Sequence, residues 1–341
     1  MKAAVVTRVN ELARAVRSSQ QVHQRRIEIA LVVSEGSSFG VGTISPQPHA
    51  LLGDPSCDDV LDALQHRNLA RIAGVGRTET GRNWAQVHSL FGEQPRDRWI
   101  SAVTESAVLD LDCDEQSRSL EAVFGGGEAS FQVVGSLIDG EIEQNPIAAR
   151  YRIKVSATRR IDFSPLRVLD RPVVLDFNGE VLSLEQAQDL FATASAHARI
   201  EALEQAWMVG DFTHPAQLRL AGVRLSHDES IRSVKDLRHA IQYEAIDIAA
   251  IKPARCGGFA VAREIARRAR QANVQFYIGG FFEGPLGRFR NHALAASLHA
   301  GPSDVLHTVT GRPVSAAEAN EDRAKWIEQA QREGEWIDIG G

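Results

Sequence analysis

Cysteine is scarce in this chain: Cys57, Cys113 and Cys256 are the three in 341 residues. They are odd in number and far apart, which excludes a disulfide framework and any CxxC or Cys/His metal spacing. Long apolar runs are also missing. The longest, such as Ile29–Val33, fall far short of the ~20 residues a membrane-spanning helix needs. Met1–Gln21 has neither a continuous apolar core nor a small-residue cleavage site, so it does not read as a secretory signal. Positive charge is not in excess. Thirty-eight Lys and Arg against 44 Asp and Glu give a net charge of −6, and the pI is near 6.0. Neither nucleic acid nor an anionic membrane would be attracted. What remains is a cytoplasmic protein acting on a small molecule, with assembly into a homo-oligomer left open.

A hydrophobic content of 43% with 24% charged residues is ordinary for a globular protein, and the length suits one or two domains. Val5, Val9, Leu12 and Val16 recur at helical spacing and predict a short amphipathic helix. Ile27–Val33 reads as a strand. The Gly/Ser/Pro-rich stretch from Gly36 to Pro55 reads as a long loop of the kind that covers a site. Helical patterns follow at Asp58–Gln65 and Trp99–Glu121, and Gly125–Gly127 closes the region.

From Phe131 the pattern alternates between short apolar strands and helices. The strand candidates are Phe131–Leu137, Tyr151–Val155, Pro172–Phe177, Ile200–Leu203, Val223–Ser226, Ile246–Ile251, Val274–Ile278 and Val305–Val309. Ser183 with Gln186 makes a capping-box pattern before Leu184–His197, and Ser233 with Asp236 a similar start before Leu237–Tyr243. Gly257-Gly258 opens a helix through Gln271. Eight strands alternating with helices predict an α/β fold, a (β/α)8-type TIM barrel. It is a modified one, because only short connections separate the first three strands. Ala316–Gln331 is an amphipathic C-terminal helix.

In such a barrel the chemistry sits at the C-terminal strand ends. Those ends carry Asp176, Glu204, Asp228 and Lys252, about one β/α unit apart. Singly, each acid reads as a solvated loop residue. Together they would converge and repel unless a cation neutralised them, and oxygen-only carboxylate ligation suits a hard ion such as Mg²⁺. Lys252 and Lys154 are candidate bases, since burial beside positive charge favours the neutral amine. His227 reads as a packed or surface histidine whose side chain points away from Asp228.

The order Lys154, Asp176, Glu204, Asp228, Lys252 resembles the enolase superfamily in its muconate-lactonising branch, and the pattern is similar to the o-succinylbenzoate synthase and N-acylamino acid racemase family. The segments that carry the resemblance are Asp228-Glu229-Ser230-Ile231, Ile251 to Gly258, and Gly279 to Arg288 with Asn291 beyond. The resemblance implies an α+β N-terminal capping domain over 1–127, the barrel over 128–312, and a C-terminal helical segment, 313–341, packing on cap or barrel. It implies Mg²⁺, with Mn²⁺ as the alternative, on Asp176, Glu204 and Asp228, and Lys154 and Lys252 as paired bases. Asn178, Arg152 and Glu229 would support them, while Ser136, Gly280 and Phe281 would line the substrate pocket and Ser34–Leu52 would form a mobile lid.

The implied reaction removes a proton α to a carboxylate. It serves a lyase forming o-succinylbenzoate, a menaquinone precursor, or else an N-acylamino acid racemase, dipeptide epimerase or muconate cycloisomerase. Three positions depart from the family pattern. Arg152-Ile153-Lys154-Val155-Ser156 stands where the family has Lys-x-Lys, so either Lys154 or Ser156 takes the place of the base. If it is Ser156, the barrel has lost a base. Gln205-Ala206 follows Glu204 where proline is usual, and Phe39–Thr43 lacks the family's acidic residue.

Overall fold

The computed structural model describes residues 1–17, 22–64, 69–75, 77–78, 81–138, 140, 142–158, 160–307 and 309–339. Strands β1 (Lys2–Arg17), β2 (Val22–Glu35) and β3 (Ser38–Ile44) form an antiparallel meander, with Ile337–Asp338 paired beside β1. β1 replaces the amphipathic helix expected near the N-terminus. A spacing of four is even, so Val5 and Val9 share one face of a strand as readily as one face of a helix. The β-branched Val5, Val6, Thr7 and Val9 favour the strand. Pairing with β2 from Lys2↔Ser34 to Glu11↔Arg25 fixes it.

The glycine-rich stretch is not one loop either. Its first part is β3, joined to β2 by a turn at Gly36 (φ 61°) and registered from Glu35↔Ser38 to Ile29↔Ile44. The expected lid over Ser34–Leu52 is therefore half sheet, and only the part beyond Ile44 is loop. Gly42 is there because the helix Pro95–Glu115 lies directly on the strand. A Cβ at Gly42 would stand 2.0 Å from the Val103 carbonyl oxygen.

The meander is buried on both faces. Ile29, Leu31, Val33 and Ile44 pack on Trp99, Val103 and Ala107, while Ala4, Ala30, Val32 and Val41 pack on Trp326 and Ala330 of the helix Ala316–Glu333. That C-terminal helix also packs on the helix Pro285–Ser297. The single helix expected over Trp99–Glu121 is two: after Glu115 the chain turns at Ser117 (φ 49°), and Ser119 caps a second helix, Leu120–Phe124. The helix expected over Asp58–Gln65 spans Cys57–Ala63, and Gln65 lies outside the described residues. A two-residue hairpin, β4 (Arg77–Thr78) with β5 (Gly81–Arg82), completes this part.

Seven parallel strands follow in sequence order: β6 (Phe131–Ser136), β7 (Ala148–Lys154), β8 (Val173–Asp176), β9 (Ile200–Glu204), β10 (Leu225–His227), β11 (Ile248–Ile251) and β12 (Gln275–Ile278). The eighth expected strand, Val305–Val309, carries no strand among the described residues, and Thr308 lies outside them. Closure happens earlier. Gly301 and Asp304 backbone N–H groups donate to the carbonyls of Phe276 and Ile278 on β12, and Gln132 N–H of β6 donates to Ser303. Pro302 has no N–H to give, so this closing segment keeps only the isolated bridge Phe131↔Ser303. Leu184–Ser195, Thr213–Leu220, Val234–Gln242, Phe259–Gln271 and Pro285–Ser297 form helices between and after the later strands. The Ser183/Gln186 capping box and the Ser233 cap stand where their sequence patterns place them. Among the described residues β6 and β7 are joined without a helix, and β7 and β8 by the 3-10 turn Ser164–Val168. No helix among the described residues is long and apolar enough to cross a membrane.

Candidate active site

Strand periodicity aims the charged residues. On β7 the odd residues Tyr151 and Ile153 pack outward with Leu166 and Leu175, so the even residues Arg150, Arg152 and Lys154 face the barrel interior. Register then places Lys154 beside Asp176, and Asp176 beside Glu204. Glu204 pairs with Ser226, and Asp228 lies just past the end of β10. Lys252 follows β11 and precedes the Pro253–Cys256 turn of helix. All five are buried at the C-terminal mouth of the barrel.

Each acid is drawn onto a cation of the protein itself. Lys154 Nζ donates to Asp176 Oδ2 at 3.1 Å and to Asn178 Oδ1 at 2.9 Å. Lys252 Nζ donates to Asp228 Oδ2 at 2.7 Å, and Arg255 Nη1 binds Oδ1 of the same carboxylate. Arg152 donates to Glu204 at 3.3 Å and to Asp304 at 2.7 Å, and stands 4.0 Å from Asp176 and 3.9 Å from Asp228. Glu204 Oε2 also accepts from Ser226 at 2.6 Å and Tyr277 at 2.9 Å.

These neighbours set the protonation states. Burial pushes Asp228 up, but Lys252 and Arg255 outweigh it and hold the carboxyl well below the usual range. Glu204 is raised, by burial first and then by Asp176 and Asp228, against the pull of Arg152. Glu229 is pushed up to about 8, by burial and then by Asp228. Arg152 and Arg255 stay cationic, because their acidic neighbours outweigh burial.

The structure places Lys154, at the end of β7, and Ser156, just past it, in different surroundings. Lys154 shares the interior with Asp176, whereas Ser156 Oγ donates to Glu180 at 2.8 Å and meets Thr158. Arg152 and Lys154 thus fill the interior positions. Asn178 is held left-handed (φ 47°) with its N–H on Asp176. Gln205 has φ 43°, a value proline cannot adopt, and its Oε1 accepts from the N–H groups of Asp228 and Ser230. His227 is packed, as its alternation requires. It lies against Trp207 and Phe212, its Nε2 bonds the Ala245 carbonyl, and burial lowers it to about 4.

A cavity of about 520 Å³ opens over this cluster. Ser136, Arg152, Lys154, Asn178, Asp228, Glu229, Lys252, Gly280 and Phe281 border it; Asp176 and Glu204 do not, but they bond Lys154 and Arg152, which do. Phe281 lies under Lys252 Nζ (4.8 Å to the ring centre) and Arg255. Leu51, Leu52 and Asp54 roof it from the loop after β3, and Asp54 pairs with Arg255 at 2.6 Å. Sequence reasoning gave no role to Asp54, Tyr277, Arg255 or Asp304. Arg255 lies inside the Ile251–Gly258 segment that carries the resemblance. Asp304 was missed because the expected strand Val305–Val309 starts after it, whereas closure runs through Gly301–Asp304.

Among the described residues no three His, Cys, Asp or Glu side chains stand together as a metal cage. Their chemistry nevertheless fits a divalent ion. Asp176, Glu204 and Asp228 offer only hard oxygen donors from neighbouring strands, and buried Glu229 Oε2 has no hydrogen-bond partner.

Residues 163–324 match the family model described as enolase C-terminal domain-like. Among curated relatives, the o-succinylbenzoate synthase of Enterococcus faecalis is 28% identical, over 65% of this chain and 64% of that protein. The N-succinylamino acid racemase of an Amycolatopsis species is 27% identical, over 62% and 61%. The chain thus covers less than two thirds of the length of these relatives. Among solved structures, the dipeptide epimerase of Cytophaga hutchinsonii complexed with Mg and the dipeptide D-Ala-L-Val superposes with a TM-score of 0.71 at 18% identity, over 91% of this chain and 87% of that one. That likeness shows the fold. Residues 163–324 thus carry an enolase C-terminal domain-like region, set in a parallel barrel with an antiparallel cap.

Proposed function

We propose that this protein removes the proton α to a carboxylate of a small-molecule substrate, in an o-succinylbenzoate synthase-like dehydration. The observation that carries the reading is the placement of two buried amines, Lys154 on β7 and Lys252 after β11, on either side of Asp176, Glu204 and Asp228. Asp176, Glu204 and Asp228 would hold Mg²⁺, with Mn²⁺ as the alternative. A divalent ion there supplies positive charge to the substrate carboxylate.

Everything else falls to the chain's own side chains. Lys154 Nζ, released from Asp176, takes the α-proton, and the β-hydroxyl leaves with that proton as water, which balances the dehydration. Lys252, held against Asp228 and Phe281, contributes its cation to the charge that develops on the substrate. The loop after β3 excludes water from above. Racemisation of an N-acylamino acid is the second reading, favoured by the same pair of amines on opposite faces. Turnover of 2-succinyl-6-hydroxy-2,4-cyclohexadiene-1-carboxylate and of N-succinylamino acids, with and without Mg²⁺, separates the two. Dehydration of the first is the expected result, and no turnover of either class would overturn both readings.

A further inference from the structure

Going round the mouth from β6, the eight wall positions are the seven strand ends and then the closing segment. Asp176, Glu204 and Asp228 occupy positions three to five, and Lys154 and Lys252 positions two and six. A substrate carboxylate held through a divalent ion on the acids would put its α-carbon between the lysines. The cavity extends from there to the wall opposite Glu204, the chain that follows Asp304, and so offers that wall to the rest of the substrate.

That wall is apolar at Leu306 and Val309, and between them stands His307, which borders the cavity. Its ring is oriented by its own turn. Val309 and Thr310 backbone N–H groups donate to Nδ1 at 3.0 and 3.3 Å, while His307 N–H donates to the Arg312 carbonyl at 2.8 Å. An Nδ1 that accepts hydrogen bonds has no proton, so a neutral ring carries its proton on Nε2. Burial favours that neutral form, lowering the ring below its ordinary value.

We propose that His307 is a specificity-determining residue: its Nε2–H donates to an acceptor oxygen, carbonyl or carboxylate, on the part of the substrate beyond the reacting carbon. This rests on the reading of the site as one that binds a carboxylate. A fixed neutral donor on an apolar wall discriminates strongly, because a substrate lacking the acceptor leaves the N–H unpaired.

Binding calorimetry tests this without any turnover. The ligands are 2-succinylbenzoate and 2-butylbenzoate, with Mg²⁺ in excess, titrated into the wild type, His307→Phe and His307→Gln. His307→Phe keeps an aromatic ring and removes the donor, and should weaken 2-succinylbenzoate by about 10- to 100-fold. Its effect on 2-butylbenzoate should be under about threefold, and His307→Gln, which keeps an N–H donor, should recover most of the loss. Equal losses for both ligands, no loss, or no binding of 2-succinylbenzoate by the wild type would overturn the proposal. Binding as described without proton abstraction would instead count against the proposed reaction alone.

Discussion

Replacing Asp54 by alanine tests how the roof is fastened to the barrel. Arg255 holds Asp54 through Nε at 3.0 and 3.2 Å and Nη2 at 2.6 Å, and both side chains are almost fully buried. The same guanidinium holds Asp228 through Nη1. Asp54→Ala removes one of two anions from a buried cation, and a broken buried pair costs about 3–5 kcal/mol. Because Asp228 remains, the lower end applies, about 3 kcal/mol. Urea unfolding followed by circular dichroism should show a lower midpoint with an unchanged slope. In a double-mutant cycle, Arg255→Met should hide most of the effect of Asp54→Ala. A loss under about 1 kcal/mol, the value of an exposed pair, would refute the claim that this contact is a buried fastening.

Other expectations follow from the same contacts. Ser156→Ala should leave turnover unchanged in a kinetic assay, since Ser156 bonds Glu180 and not the acids of the site. Glu105 is buried on the first turn of the Phe259–Gln271 helix, its Oε1 accepting from Ala260 N–H, and burial raises it to about 8. With its folded value above the ordinary 4.5, the wild type has this contribution in full at low pH and loses it as pH rises toward 8. Glu105→Gln keeps the acceptor without the charge, so its stability relative to wild type should improve by on the order of 4 kcal/mol between pH 5 and 8.5, read by denaturant unfolding. Trp326→Ala should cost about 3–5 kcal/mol in the same assay, because the ring is fully buried against the sheet of β1, β2 and β3 and carries Arg8 at 3.7 Å.

The barrel half was legible because buried parallel strands and capped helices leave local marks: short β-branched runs, a Ser183/Gln186 box, and polar residues at strand ends. Of the meander only the Ile27–Val33 part of β2 was legible, and the reason is physical. Its two buried faces remove the polar alternation that marks a half-exposed strand, and Gly40 and Gly42, which serve a close helix contact, look like loop glycines in one dimension. The candidate bases Lys154 and Ser156 could be named, yet the choice between them could not be made. Lys154 and Ser156 share a face, so periodicity treats them alike, and only the strand's end at Lys154 separates them. Asp304 and Tyr277 reach Arg152 and Glu204 across the barrel, contacts that exist only once it closes.

The central claim is that Lys154 abstracts a proton α to a carboxylate. Its most direct measurement is incorporation of deuterium from D₂O at the α-carbon of N-succinylamino acids and related carboxylates, with Mg²⁺ present. Exchange by the wild type and a loss of about 10²–10⁴-fold in Lys154→Met, with Ser156→Ala unaffected, is the predicted result. No exchange by the wild type with any of these carboxylates, or full exchange by Lys154→Met, would contradict it.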